Sequence, residues 1–172
     1  ISVTIPSGLE EISNGQLLGR TELPGGHTRY GWYVHYPIPT YDIAINIGDY
    51  AHFSDVYAGK YDTFPLNFYC MRYNLDFARK IFSDTKRMLA LYENEFGPYP
   101  FPRDGYTVME SIWAMEHHGA TSIGPMNVPF NSTSYDSAGS RETFWHESAH
   151  EWWGNSVGCS DYADMWINES FA

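Results

Sequence analysis

The stretch His146-Glu147-Ser148-Ala149-His150, followed nineteen positions later by Glu169, decides how the rest of the chain is read. A His-Glu-x-x-His run on a helix sets its two imidazoles one turn apart on one face. Their Cβ atoms then lie roughly 5–6 Å apart, so both rings can converge on one metal ion. Glu147 lies roughly 100° further round the helix, by the 3.6-residue turn. From there it reaches a water beside the metal without displacing it, where a general base must sit. Glu169, on a second helix folded back onto the first, supplies a third ligand. Two neutral histidines, one carboxylate and a water make the open tetrahedral site of a catalytic zinc, one Zn2+ per chain.

Surface helices often carry His and Glu, so a bare run of this kind also fits an ordinary solvated face. Three features favour the metal. Trp145, Trp152 and Trp153 flank the run, which predicts a buried helix, and a buried His/Glu/His cluster needs a partner that offsets its desolvation. Gly154-Asn155 is a stop signal directly after the last aromatic. Asp164 to Ala172 begins a second helical pattern with Glu169 inside it.

Upstream, Asn74 to Phe96 carries Leu75, Ala78, Phe82, Met88, Leu89, Tyr92 and Phe96 close to helical spacing, and Gly97-Pro98 stops it. This predicts one long amphipathic helix with a core-facing stripe. Gly105 to Glu110 reads as a strand leading to Glu116, and residues 119–140, rich in Gly, Ser, Thr, Asn and Pro, read as a loop. Residues 60–67 form a Pro-containing connector, the expected domain boundary. Residues 1–57 read as β structure: Ser2 to Ile5 alternates, Asn14-Gly15 and Pro24-Gly25-Gly26 are turns, and Thr28 to His35 is strand-like. Tyr41 to Ile47 alternates strictly, as a half-buried strand does. His27, His35 and His52 have no mutual spacing and read as structural or solvated.

The chain has 172 residues, 43% hydrophobic and 17% aromatic, enough for a sizeable core. A net charge of −11 argues against nucleic acid or anionic membrane as a partner. It suits free peptide amines, although simple solubility explains it as well. No run of eighteen apolar residues exists, so nothing spans a membrane. Cys70 and Cys159 fit no zinc-finger spacing; a disulfide is open to them, with two free buried thiols favoured. Asn131-Ser132-Thr133 and Asn168-Glu169-Ser170 fit the glycosylation acceptor pattern, the second inside the metal motif and the first read as coincidence.

His146 to Asn155 (HESAHEWWGN), the eighteen-residue gap and Trp166 to Ala172 (WINESFA) together resemble the gluzincin aminopeptidases, the family of aminopeptidase N. Trp113-Ala114-Met115-Glu116-His117 is similar to that family's G-x-M-E-N exopeptidase motif. The resemblance implies that Glu116 grips the α-amine of a peptide with a free N-terminus, while the backbone of Ala114 and Met115 pairs with the extended substrate. It implies an α+β fold: residues 1–66 would be the last strands of a β-rich N-terminal domain. Residues 67–172 would be the first half of a thermolysin-like α/β catalytic domain. Trp113 and His117 depart from the motif's glycine and asparagine, and a bulky Trp113 narrows or redirects the substrate groove. His117 and His118, being adjacent, do not share a face and are not read as a second metal site.

The resemblance also implies a transition-state tyrosine well beyond Glu169, whereas the chain ends at Ala172. The expectation is therefore a piece of a larger zinc aminopeptidase that binds zinc without turnover by itself. Such a piece would self-associate through apolar surface around Trp152, Trp153, Trp166 and Phe171. Two alternatives stand: a gluzincin endopeptidase with the same zinc triad, and a catalytically silent zinc-binding module.

Overall fold

The computed structural model describes residues 1–126 and 137–172, the side chains of 137–140 excepted. The acceptor pattern at Asn131-Ser132-Thr133, read as coincidence, lies outside the described residues. The fold is α+β, with helices packed on one face of a mixed sheet and a smaller β layer on the other.

The N-terminal layer holds β1 (Ser2–Pro6), β4 (His27–Tyr33) and β3 (Gln16–Leu23), antiparallel in that order. A second pair joins β2 (Glu10–Ile12) to β5 (Asn46–Gly48). The turn into β3 requires Gly15, since a Cβ there would stand 2.2 Å from the Tyr33 carbonyl oxygen and φ is +82°. Five further strands form the main sheet in the order β6 (Tyr50–Ala58), β7 (Thr63–Met71), β8 (Tyr106–Met109), β10 (Ala120–Ile123), β9 (Ala114–Met115). The central three run parallel, and the edges β6 and β9 are antiparallel to their neighbours.

Side-chain alternation along β7 explains the layering. Phe64, Leu66, Phe68 and Cys70 face helices α1 (Leu75–Phe82), α2 (Thr85–Phe96) and α3 (Ser137–Ala149). Tyr69 faces the other way, into a cluster with Ile5, Ile12, Tyr30 and Trp32. The parallel strands are thus covered on both faces, the usual condition for such strands.

Four expectations need correction. The helix over 74–96 is two, α1 and α2, broken at Ser83-Asp84. There Ser83 Oγ donates to the Lys80 carbonyl at 2.6 Å and Thr85 Oγ1 to that of Phe82 at 2.7 Å, local bonds that compete with the helical ladder. The connector at 60–67 is the β6–β7 hairpin, and position 66/67 falls inside β7, which pairs continuously with β6 and β8. Pro65 precedes the first β8-paired residue, Leu66, so its missing N–H costs nothing on that side.

Tyr41 to Ile47 is not one strand: Thr40–Asp42 is a 3-10 turn, and only Asn46–Gly48 pairs. Its alternation is inverted, with Asp42 and Ala44 buried while Tyr41, Ile43, Ile45 and Ile47 are exposed. Asn14 causes this, accepting from the Ala44 N–H at 2.7 Å and donating to the Asp42 carbonyl at 2.9 Å. Finally, the loop expected over 119–140 contains β10, whose Thr121 and Ser122 are fully buried. The cysteines are both free, and among the described residues no helix is long and apolar enough to cross a membrane.

Candidate metal centre

Helix α3 is anchored from its buried side. Phe144 packs edge-on against Phe82 at 5.7 Å, and Tyr106 Oη donates to Ser148 Oγ at 2.6 Å. Ser148 Oγ in turn donates to the Phe144 carbonyl at 2.6 Å. The helix stops at Ala149 and tightens into a turn, with the Glu151 N–H on the Ser148 carbonyl and the Trp152 N–H on that of Ala149. His150 opens this turn and still lies one turn after His146.

The two rings face one another with Nε2 atoms 3.2 Å apart and planes at 86°. His150 is 1% exposed, and its Nδ1 donates to the Trp153 carbonyl at 2.9 Å, leaving the Nε2 lone pair free for a cation. Glu169 Oε2 completes the triangle, 3.3 Å from His146 Nε2 and 3.7 Å from His150 Nε2. A tetrahedral ion with ligand bonds of about 2.0–2.1 Å needs ligand atoms about 3.3–3.4 Å apart; the spacings of 3.2 and 3.3 Å meet this, and the 3.7 Å from Glu169 to His150 is only slightly wider. The residues fit a zinc ion.

Glu169 rides on α4 (Trp166–Phe171), where Phe171 stacks on Trp153 at 4.7 Å. Trp166 and Phe171 are exposed, but Trp152 is buried, its Nε1 donating to the carbonyls of Gly97 and Pro98 at 3.1 Å. The apolar surface expected at Trp152 is therefore core, while Trp145 and Trp153 are half-buried.

On the inner side stand Glu147 and Glu116, 8% and 7% exposed. Ligand atoms of Glu116, Glu147 and His150 all lie within 4.8 Å of one another, as do those of His146, His150 and Glu169. Burial, then the charges of Glu116 and Glu169, push the Glu147 carboxyl up to about 8. Glu116 directly follows strand β9, whose Ala114 and Met115 pair with Ile123 and Ser122 of β10 and which is an edge strand among the described residues. Trp113, at the head of β9, is exposed. His117 and His118 point to different places. His117 Nδ1 lies 3.2 Å from Ser122 Oγ, and the buried His118 ring packs on Phe101 at 3.8 Å. Of the scattered histidines, His35 pairs with buried Asp104 at 2.6 Å and His52 stacks on Tyr69 at 4.5 Å.

Sequence reasoning passed over three polar residues beside this cluster. Glu151 is fully buried and accepts the Gly119 N–H at 2.8 Å. Asn155 donates to the Glu116 carbonyl at 2.8 Å. Asp42 is buried with neither carboxylate oxygen partnered among the described residues, and burial, then Glu116, push it up to about 8. Only Glu151 carried a signal, as a charged residue set between His150 and two tryptophans.

The family model described as "Peptidase family M1 domain" matches residues 81–172. Aminopeptidase N of Streptomyces lividans is 35% identical over 143 residues, covering 78% of this chain and 16% of its own length. Endoplasmic reticulum aminopeptidase 1 of Homo sapiens is 27% identical over 167 residues, covering 94% and 17%. The chain thus spans less than a fifth of these relatives. The crystal structure of an M1 zinc metallopeptidase from Deinococcus radiodurans superposes with a TM-score of 0.76 at 23% identity, over 99% of this chain and 37% of that one. A mutant of a Deinococcus radiodurans M1 zinc metallopeptidase, bound to a Tyr-Ser-Ala substrate, gives 0.77 at 22%.

Proposed function

We propose, for a chain that belongs to peptidase family M1, that its 172 residues carry the metal-binding and amine-reading half of a zinc aminopeptidase. The observation that carries this reading is the adjacency of two clusters sharing His150, one shaped for a cation and one able to grip an amine. His146, His150 and Glu169 would hold one zinc, which when bound supplies a Lewis acid for the scissile carbonyl and acidifies a water.

The chain's own residues do the rest. Glu147 takes a proton from the attacking water and delivers it to the leaving amine. Its proton affinity, high in the metal-free protein, falls when a dication sits beside it. Glu116 binds the α-ammonium in a charge-assisted hydrogen bond, which limits productive binding to peptides that end there. Ala114 and Met115 offer the free edge of β9 to an extended peptide as an added strand. The solved relative bound to a tripeptide supports a peptide as substrate. We also place the division between the N-terminal layer and the catalytic unit between β5 and β6, since β6 and β7 belong to the main sheet.

The test is made on the whole protein with paired substrates, one with a free amino group and one N-acetylated. Cleavage of the free substrate alone is expected. Glu116→Ala should raise KM roughly 10–100-fold, the loss of one charged hydrogen bond, with a smaller fall in kcat. Equal cleavage of both substrates would instead mean an endopeptidase.

A further inference from the structure

An enzyme that removes one residue at a time must hold its amine anchor at a constant distance from its metal. In this protein the two lie on separate segments: Glu116 follows an edge strand, and the histidines lie in α3 and at the start of the turn that ends it. Edge strands are held from one side only and drift most easily. Two side chains on the turn just after His150 reach across to Glu116 and the turn beyond it. Glu151 Oε1 accepts the Gly119 N–H at 2.8 Å, and its Oε2 lies 3.1 Å from Tyr99 Oη, which is also 3.1 Å from the Gly105 carbonyl. Asn155 Nδ2 donates to the backbone carbonyl of Glu116 itself at 2.8 Å. The first tie grips the turn three residues past Glu116, and the second grips Glu116.

Resting on the aminopeptidase reading, we infer that Glu151 and Asn155 are positioning residues that set the distance between the amine anchor and the metal, and so the exopeptidase register. Neither side chain bonds to a ligand atom of the cation cluster, although the Asn155 N–H donates to the His150 carbonyl at 3.0 Å. Packing alone does not account for Glu151: it is fully buried beside Tyr99 and next to the buried Trp152, where an apolar side chain fills the space without desolvating a carboxyl group. What a carboxylate adds there is an acceptor for a turn N–H that would otherwise be orphaned. Displacing a contact by about 1 Å is enough to cost on the order of 10²-fold in a positioned reaction.

The whole protein, carrying Glu147→Gln so that leucinamide is not hydrolysed, is loaded with zinc and titrated calorimetrically with leucinamide and with N-acetyl-leucinamide, and zinc content is measured alongside. Glu151→Met keeps the side-chain length and removes the acceptor. It should weaken leucinamide roughly tenfold or more while one zinc per chain stays bound. Glu151→Gln keeps an acceptor for Gly119 and should restore binding to within about threefold of the parent. Asn155→Ala breaks the second tie while keeping the Glu151 side chain and its bond to Gly119, should weaken leucinamide in the same way, and decides the matter if Glu151→Met does not fold. Parental leucinamide affinity in both tie-breaking variants overturns the inference, as does zinc lost in step with the amide, the sign of a scaffold role alone. A parent that binds both amides equally sinks the amine-reading function itself, and this inference with it.

Discussion

His150 and Glu169 converge on one point from opposite surroundings. His150 is 1% exposed, its ring fixed by the Trp153 carbonyl and its turn packed beneath Tyr99 and Tyr92. Glu169 has a side chain 52% exposed on a six-residue helix, held to the body by Phe171 on Trp153. A helix that short does not hold itself in water, so its order comes from packing and from whatever its carboxylate binds. In the proposed metal centre the His150 side is thus built by the core without an ion, and the Glu169 side would be completed by binding one.

The largest effect expected is chemical. Glu147→Gln in the whole protein should lower kcat roughly 10²–10⁴-fold with zinc content unchanged, since the base belongs to neither arm. Retained turnover, measured on a free aminoacyl substrate, would move the base elsewhere.

Next come the two arms themselves. His150→Ala and Glu169→Ala should each weaken zinc by more than about 100-fold, beyond the loss seen when only an outer-shell partner goes. Their metal-free forms should differ. His150→Ala leaves the buried Trp153 carbonyl unpaired and empties core volume, lowering Tm by several degrees, from about 1–3 kcal/mol. Glu169→Ala should leave the metal-free Tm unchanged within about 1 °C. Equal destabilisation of both, by differential scanning calorimetry in chelator, would erase the distinction between the arms.

A smaller effect probes how deeply the core side is committed. Burial, then the charge of Glu116, pushes the Asp42 carboxyl from its ordinary 3.8 up to about 8 in the fold. Between those values the folded chain keeps a proton that the unfolded chain has lost, so stability falls as pH rises. Glu147 and Glu151 are pushed up to about 8 as well, so the metal-free Tm should fall by roughly 3 °C or more from pH 6.5 to pH 8, and Asp42→Asn should remove its share and reduce that slope. An unchanged slope in the variant would show that Asp42 stays ionised in the fold.

The smallest effect sharpens the exposed side. Phe171→Ala removes the stacking that holds α4, a contact worth about 0.5–1.5 kcal/mol beyond its area. Zinc affinity should fall roughly 3–10-fold, and the metal-free Tm should barely move. A large drop in metal-free Tm would mean that α4 belongs to the core after all.

What the sequence determined by itself was chemistry encoded in short spacings. Four residues on a helix place His146 and His150 on one face whatever surrounds them, because helix geometry is local. Glu169 came from the helical pattern around it, Glu116 from resemblance, and Gly97, Gly15 and the Pro24-Gly25-Gly26 turn from backbone preferences that need no partner. The remainder was decided only by the tertiary structure, because it depends on partners far along the chain. Thr121 and Ser122 form a central strand only because layers on both faces bury them. Ile43, Ile45 and Ile47 face outward because Asn14, some thirty residues earlier, takes the hydrogen bonds that a strand would have used. Ser83 breaks a helix whose apolar stripe runs on past it. Glu151 reads as one charge among tryptophans until Gly119, 32 residues before it, closes the contact that ties the metal side of the site to the amine side.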